Sequence, residues 1–291
     1  MAVRSRLPIL LLLGFALAGC SQRTGLRSSV VEYLYPGKEK VVAEPGRPVL
    51  ELPLSVGIAF VPEQPAGSRG FGWWTGAVGG EPLPEARKME LLEQVAKEFR
   101  DLDFVRDIEV ISGAYLRPGG SFDNLDQLQR MYGIDVVALV SYDQVQFTDE
   151  GLLSLSYWTL VGAYAVAGEK NDTNTLMDTA VYDIASRRLL FRAPGVSRVK
   201  GSATPVNLAE QLRADSLEGF RLATEAMIAN LKTELQAFKT RLEEQPELAE
   251  VRHAEGYDGG AGAIGWALPG LALLVLRRRA RHRPVSRSGS A

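Results

Sequence analysis

The chain has 291 residues with 33 basic and 35 acidic side chains, which gives a formal net charge of −2. Its single cysteine excludes an intramolecular disulfide, and its two histidines are too few for a zinc site of the usual His and Cys type. Both histidines, His253 and His282, lie near the carboxyl end, so a Ser/His/Asp or Cys/His catalytic arrangement within the central region is excluded.

The amino end, residues 1–19, has the pattern of a secretory signal peptide. Arg4 and Arg6 precede an apolar run over residues 7–18. Because this run is too short to span a bilayer comfortably, it indicates a cleaved signal and not a transmembrane helix.

The signal ends in Leu17-Ala18-Gly19-Cys20, which has the form of a lipobox. Small residues before the cleaved bond fit a narrow protease site, and the thiol that follows accepts a diacylglycerol. The pattern predicts cleavage between Gly19 and Cys20, with lipid, including palmitate, on Cys20. Several acyl chains anchor a protein stably, so this site is sufficient as an anchor. The next residue is Ser21 and not aspartate, which by the enteric sorting rule predicts the outer membrane.

The rest of the amino-terminal region, residues 20–47, is predicted to be a tether, because Pro36-Gly37 and Pro45-Gly46 mark turns in a segment of mixed composition. One α/β globular domain is predicted over residues 48–246, followed by a polar linker over residues 247–258.

Hydrophobic periodicity predicts alternating strands and helices within the domain. Apolar residues recur every three or four positions over residues 85–102, as on one face of a helix. Thr204-Pro205 pairs a capping hydroxyl with a proline at the first helical position and opens the longest helix. The predicted elements are strand 49–61, loop 62–84, helix 85–102, strand 104–112, helix 121–132, strand 134–147, one or two strands in 152–167, a polar turn 169–174, a hairpin of 175–184 with 188–199, and helix 204–246.

The loop over residues 62–84 carries the aromatic residues Phe71, Trp73 and Trp74. Exposed aromatic side chains can form a binding surface. Alternatively, they fold back onto the core or pack on a membrane surface.

The order of elements predicts a mixed α/β domain of two or three layers, in which helices pack on a mixed sheet. The segments MYGIDVVALV (131–140) and VYDIASRRLL (181–190) resemble segments of the domain found in curli-secretion channel lipoproteins and in lipoprotein activators of penicillin-binding proteins. The resemblance implies that fold, and a fold alone does not determine a function.

The carboxyl end has the pattern of a membrane segment. Residues 259–276 are an uncharged run of 18 residues, followed by an arginine cluster that begins with Arg277, Arg278 and Arg279. Eighteen helical residues span roughly 27 Å, just enough for the hydrocarbon core of a bilayer. Arginines cross that core at high cost, so this cluster predicts a membrane stop on the cytoplasmic side.

Five glycines and one proline interrupt this run. Each loosens a helix, by about 1 kcal/mol for glycine and about 3 kcal/mol for proline. An intramembrane protease needs such a helix, because it must expose a peptide bond. The tail is therefore either an ordinary membrane anchor or a processed sorting signal.

The arrangement of Gly259-Gly260, a short apolar span and terminal arginines resembles the GlyGly-CTERM sorting signal. The resemblance implies recognition by a rhombosortase, a rhomboid-type intramembrane serine protease, with processing at Gly259 and Gly260. Together with the lipobox at Cys20, the tail resembles the rhombotarget lipoprotein family.

Without its two end segments the chain is acidic: residues 20–260 hold 25 basic and 35 acidic side chains, a net charge of −10. This balance argues against nucleic acid and against broad binding to anionic lipid.

The chain has no P-loop and no GxGxxG motif after a strand, so we predict no cofactor. Carboxylate clusters could bind a hard cation, although solvated surface and helix-cap roles are commoner, and we predict no metal site. These candidates are Asp101, Asp103, Asp107, Glu109, Asp123, Asp126, Asp172 and Asn174.

The predicted function is that of a non-enzymatic lipoprotein of the bacterial cell envelope, which passes through the inner membrane to the outer membrane or cell surface. Its predicted partners are the membrane, through the lipid anchor and the carboxyl-terminal span, a rhombosortase-type protease, and an unidentified envelope protein. The alternative is a carboxylate-dependent hydrolase that acts on the cell wall with an Asp/Glu pair.

Overall fold

The computed structural model describes residues 22–36, 46–63, 82–150, 169–203 and 207–257. Its strands are β1 (Gln22–Arg27), β2 (Val49–Leu52), β3 (Leu54–Phe60), β4 (Val105–Val110), β5 (Val136–Glu150), β6 (Glu169–Asp183), β7 (Arg188–Ala203) and β8 (Glu250–His253). Its α-helices are α1 (Val30–Leu34), α2 (Glu85–Phe99), α3 (Ser121–Tyr132) and α4 (Leu208–Glu244).

The main sheet has the strand order β4-β3-β5-β6-β7, and β1 joins it by pairing with β5. Strand β3 pairs in parallel with β4 and β5, whereas β6 pairs antiparallel with β5 and β7. Strand β1 runs antiparallel along the far half of β5, from Gln22 opposite Thr148 to Arg27 opposite Asp143. The sheet is therefore mixed, as predicted. Strands β2 and β8 form a separate parallel pair.

Helices cover both faces of the main sheet, so the fold has three layers. Val136, Ala138 and Val140 of β5 belong to the cluster of buried side chains under α2 and α4. Val137 and Leu139 belong to the cluster on the other face, which α1 and α3 cover. Burial on both faces explains why this part of β5 is an unbroken apolar run.

Helix α4 packs directly on the backbone of the sheet. A Cβ atom added to Gly195 of β7 would lie 2.1 Å from the carbonyl oxygen of Ala223 and 2.5 Å from the backbone nitrogen of Met227. A Cβ atom added to Gly219 of α4 would lie 2.5 Å from Oγ1 of Thr175. These glycines let the helix and the strands approach more closely than any side chain would allow.

Several predicted elements are confirmed. Helix α2, strand β4 and the hairpin of β6 with β7 lie at the predicted places. Helix α3 ends at Gly133, whose φ of 66° is the left-handed conformation that favours glycine. The long helix α4 ends before Pro246. Residues 152–167, predicted to form one or two strands, lie outside the described residues.

The prediction of a tether over residues 20–47 is wrong for residues 22–34. Strand β1 belongs to the main sheet. The side chain of Ser29 caps α1, and Val30, Tyr33 and Leu34 of that helix are buried. The segment QRTGLR has no clear alternation of its own, and its pairing with β5 places it in the sheet.

Other predicted boundaries also differ. The strand predicted over residues 49–61 is two strands separated by Pro53, which has no N–H for a ladder hydrogen bond. The polar turn predicted at 169–174 is part of β6, and the linker predicted at 247–258 contains β8. Helix α4 begins at Leu208, after the predicted start. Residues 169–174 and 250–253 take their strand conformation from pairing partners, β5 and β7 for the first and β2 for the second.

Replacing Leu34 with alanine tests whether α1 belongs to the core. Leu34 is 1% exposed, so Leu34→Ala should lower the free energy of unfolding by about 2–5 kcal/mol. Val31, on the same short helix, is 66% exposed, and Val31→Ala should change it by less than about 0.5 kcal/mol. Urea denaturation measures both values. Equal effects of the two changes would restore the tether interpretation.

Replacing Gly195 with alanine tests the contact between α4 and β7. The added methyl group would collide with the helix backbone, so Gly195→Ala should destabilise the fold by about 1–3 kcal/mol. Gly46→Ala is the matched control, because the nearest atom to a Cβ there is Cβ of Ser186 at 3.6 Å, an ordinary contact. Thermal denaturation followed by circular dichroism compares the two variants. A melting temperature unchanged by Gly195→Ala would contradict the close approach.

Candidate functional site

The processing residues predicted from the sequence lie outside the described residues. These are Gly19, Cys20, Gly259, Gly260, Arg277, Arg278 and Arg279, and the same holds for the loop residues Phe71, Trp73 and Trp74. None of the helices in the described ranges combines the length and the apolar character needed to cross a bilayer.

The two ends of the described chain lie at opposite ends of the main sheet. Gln22 pairs with Thr148, near the end of β5. At the other end, the hydroxyl of Tyr257 donates a hydrogen bond of 3.0 Å to the carbonyl oxygen of Asp103, just before β4 begins. Through β3, Val136 of β5 lies level with Ile108 of β4. The twelve residue steps from Val136 to Thr148 therefore separate the two ends by at least about 40 Å along the strands.

An apolar cavity of about 140 Å³ lies between the main sheet and the carboxyl-terminal halves of α2 and α4. It sits near the amino ends of β3, β4 and β5, where Leu54, Val105 and Val136 line it. The small pair of strands β2 and β8 also contributes to its wall. Ala96 of α2 and Ala138 of β5 line it with single methyl groups, which leave space that larger side chains would fill.

Two residues with polar side chains line this cavity, Thr179 and Lys239. The hydroxyl of Thr179 already contacts the sulfur of Met227 at 3.0 Å. Nζ of Lys239 lies 4.0 Å from the ring centroid of Phe104, which is a cation–π contact. Burial lowers the pKa of Lys239, and the nearby charges of Asp103 and Glu243 oppose that shift.

A second cluster lies near the opposite ends of the parallel strands. Nζ of Lys88 is 2.7 Å from Oε1 of Glu63, and the hydroxyl of Tyr142 donates a hydrogen bond to the same oxygen. Burial and this hydrogen bond raise the pKa of Tyr142. Glu85 accepts hydrogen bonds from Oγ of Ser112 and from the backbone N–H of Gly113, both 2.8 Å. Both carboxylates are thus occupied in joining α2 to the sheet.

Polar side chains also bind the first half of α4 to the sheet. Nε2 of Gln144 donates to Oγ1 of Thr175 at 2.7 Å and to the carbonyl oxygen of Ser216 at 3.0 Å. Nε2 of Gln146 donates to the carbonyl oxygen of Leu212 at 2.8 Å. Gln144 is only 2% exposed. The polar side chains satisfy helix carbonyl groups instead of facing water.

The carboxylates considered as cation ligands lie in separate places. Asp172 forms an ion pair with Arg198 on the neighbouring strand. Asp126 lies 3.5 Å from Nη2 of Arg187. Across the described ranges, no group of three or more His, Cys, Asp or Glu side chains is close enough to hold a metal ion.

Three of the solved structures that are similar to this chain are described here. No family model and no curated protein matches the chain. A neuraminyllactose-binding hemagglutinin homologue from Helicobacter pylori has 8% sequence identity and a TM-score of 0.36, with 69% of this chain and 97% of that chain covered. A Xanthomonas campestris protein of the DUF330 family has 10% identity and a TM-score of 0.29, covering 71% and 95%. The PelC dodecamer from Paraburkholderia phytofirmans has 11% identity and a TM-score of 0.25, covering 70% and 99%. TM-scores this low assign neither a function nor a partner to this chain.

The buried tyrosines predict a loss of stability at alkaline pH. Burial raises the pKa of Tyr33, Tyr142 and Tyr182, the last to about 12, whereas an unfolded tyrosine titrates near pH 10. The folded protein therefore keeps protons that the unfolded chain loses, so stability is intact below about pH 10 and falls above it. Urea denaturation at about pH 8 to 11.5, with tyrosinate absorbance, measures this. In the variant Tyr182→Phe the free energy of unfolding should fall less steeply above about pH 10. Reversible ionisation of all tyrosines near pH 10 without loss of stability would contradict it.

Proposed function

We propose that this protein is a non-enzymatic lipoprotein of the bacterial cell envelope that acts by binding or assembling with another component. In this proposal Cys20 carries the lipid, and a rhombosortase-type protease removes the tail at Gly259 and Gly260. The mature protein then resides at the outer membrane or the cell surface. The acidic body, with a net charge of −10 over residues 20–260, supports a protein partner over nucleic acid.

The observation that carries the proposal is the position of the lipobox immediately before the first strand. Gln22 is already paired with Thr148, and it follows Cys20 by two residues. Two residues of extended chain reach only about 7 Å. A lipid on Cys20 therefore holds the domain close to the bilayer, with the far end of β5 toward it.

The opposite positions of the two ends support removal of the tail. Tyr257, the last described residue, lies about 40 Å along the strands from Gln22. With lipid on Cys20 and residues 259–276 in the same bilayer, the strands must lie along the membrane. Once the tail is cut, the lipid alone holds the domain, and the strands are free to point away from the bilayer.

The hydrolase alternative is not carried further. Its mechanism needs two carboxyl groups that face each other across a cleft. At the carboxyl ends of the parallel strands, Glu63 is bound to Lys88 and Tyr142, and Glu85 is bound to Ser112. No observation on the described residues favours catalysis by this pair.

Mass spectrometry of the terminal peptides, on protein taken from native membranes, tests the proposal. We expect an acylated Cys20 as the first residue and a new carboxyl terminus near Gly259-Gly260. Peptides across Gly79-Gly80 and Gly119-Gly120 should stay intact, because neither pair precedes an apolar span and arginines.

Two variants make this test specific. Cys20→Ala should leave the amino end without lipid, and replacing Gly259 and Gly260 with leucine should preserve the tail. An intact tail through Ala291 in the native protein would make the segment an ordinary membrane anchor, and the rhombosortase part of the proposal would be withdrawn.

A further inference from the structure

We propose that the apolar cavity under α4 binds the hydrocarbon end of a single-chain anionic amphiphile, with the anionic group on Lys239. The ligand class is one alkyl chain that carries a carboxylate or a phosphate. This inference rests on the cavity and its lining, and it does not depend on lipid at Cys20 or on processing of the tail.

The volume and the apolar lining of the cavity fit a short segment of hydrocarbon chain. Its volume of about 140 Å³ is close to that of an engineered apolar cavity of about 150 Å³ that stays dry and binds benzene. Water needs two to four polar partners in such a site. Among the lining side chains Lys239 and Thr179 are polar, and the hydroxyl of Thr179 is already engaged with Met227. A chain segment of about six carbons therefore suits this space better than water does.

The positive charge of Lys239 favours an anionic group at the other end of the ligand. Its ammonium group lies on the ring of Phe104 beside the cavity. Asp103 and Glu243 are close enough to act on its charge, but neither forms a salt bridge with it among the described residues. Lys232, about two turns earlier on α4, has Glu98 as a partner at 2.7 Å. Partial burial lowers the pKa of Lys239, so an anion at this position would offset part of the cost of burying its charge.

The apolar cavity and the ammonium group of Lys239 are placed so that one ligand can contact both. Lys239 lies between Phe238, which lines the cavity, and Thr240, which is exposed. Phe99, Leu102 and Phe104 are half-buried lining residues on the same side. An alkyl chain that enters between them places its end against Ala96 and Ala138 and leaves its anionic group at the ammonium.

The test is isothermal titration calorimetry of the full-length protein with octanoate as the probe, because its short alkyl chain matches the volume of the cavity. Octyl phosphate, titrated in the same way, separates phosphate from carboxylate ligands. Octanol is the uncharged control. We expect saturable binding of the probe, and we expect at least one of the anions to bind with a dissociation constant about tenfold lower than that of octanol, because a charge-assisted hydrogen bond has about this effect.

Four variants assign the binding to this site. Ala138→Leu and Ala96→Leu both fill the cavity, and whichever of them retains the native circular dichroism spectrum should bind the probe at least tenfold more weakly. Lys239→Gln should weaken the binding of the anions about tenfold and leave that of octanol unchanged. Lys232→Gln, which loses only a surface ion pair, should bind like the native protein.

Three outcomes would overturn the proposal. The first is no saturable binding of the probe to the native protein. The second is native affinity in the folded cavity-filling variant, or in Lys239→Gln. The third is binding that occurs only after residues 258–291 are removed, which would identify the chain's own apolar tail as the occupant. None of these results depends on the state of Cys20, so they are separate from a failure of the lipoprotein proposal.

Discussion

The contact between helix α4 and the main sheet is the interaction on which the rest of the fold depends. The helix has 37 residues and is about 55 Å long, and it crosses strands that a sheet normally twists relative to one another. A long helix can follow a twisted sheet closely over only part of its length. At Gly195 the strand backbone meets the helix backbone directly, and at Gly219 the helix backbone packs on the side chain of Thr175. Farther along, large residues such as Leu231, Phe238 and Leu242 fill the space, and the apolar cavity remains between them and the strands.

The two halves of α4 therefore meet the sheet with different chemistry. In the first half, Gln144 and Gln146 donate hydrogen bonds to helix carbonyl groups, and Ser197 donates to the carbonyl oxygen of Gly219 at 2.7 Å. Directional bonds of this kind set the position of the helix along the strands. In the second half the contact is apolar and leaves a void, which a well-packed interior would fill. The hydrogen bonds position the first half of α4 on the sheet, so the second half can keep its place although its packing is incomplete.

Much of the fold could be predicted from local pattern. The apolar face of α2, the glycine that ends α3 and the unbroken apolar run of β5 are all properties of short segments. Strands β1 and β8 and helix α1 could not be predicted in this way, because β1 and β8 are held by pairing and α1 has only five residues. The burial of Gln144 escaped prediction for the same reason, since its partners lie 31 and 72 positions away. The cavity has no sequence signal, because its lining residues come from nine separate helices and strands.

The sequence by itself excluded an intramolecular disulfide and a His-based catalytic arrangement in the central region, and it led to the prediction of targeting signals at both ends. These depend on which residues are present and on their local order, as with the one cysteine at the lipobox and the glycines before the apolar tail. Only the tertiary structure decided that Gln22 and Tyr257 lie at opposite ends of the main sheet, and that Lys239 lies beside an apolar cavity. Both are distances between residues far apart in the chain, and such distances are set by how strands pair and how a helix crosses them.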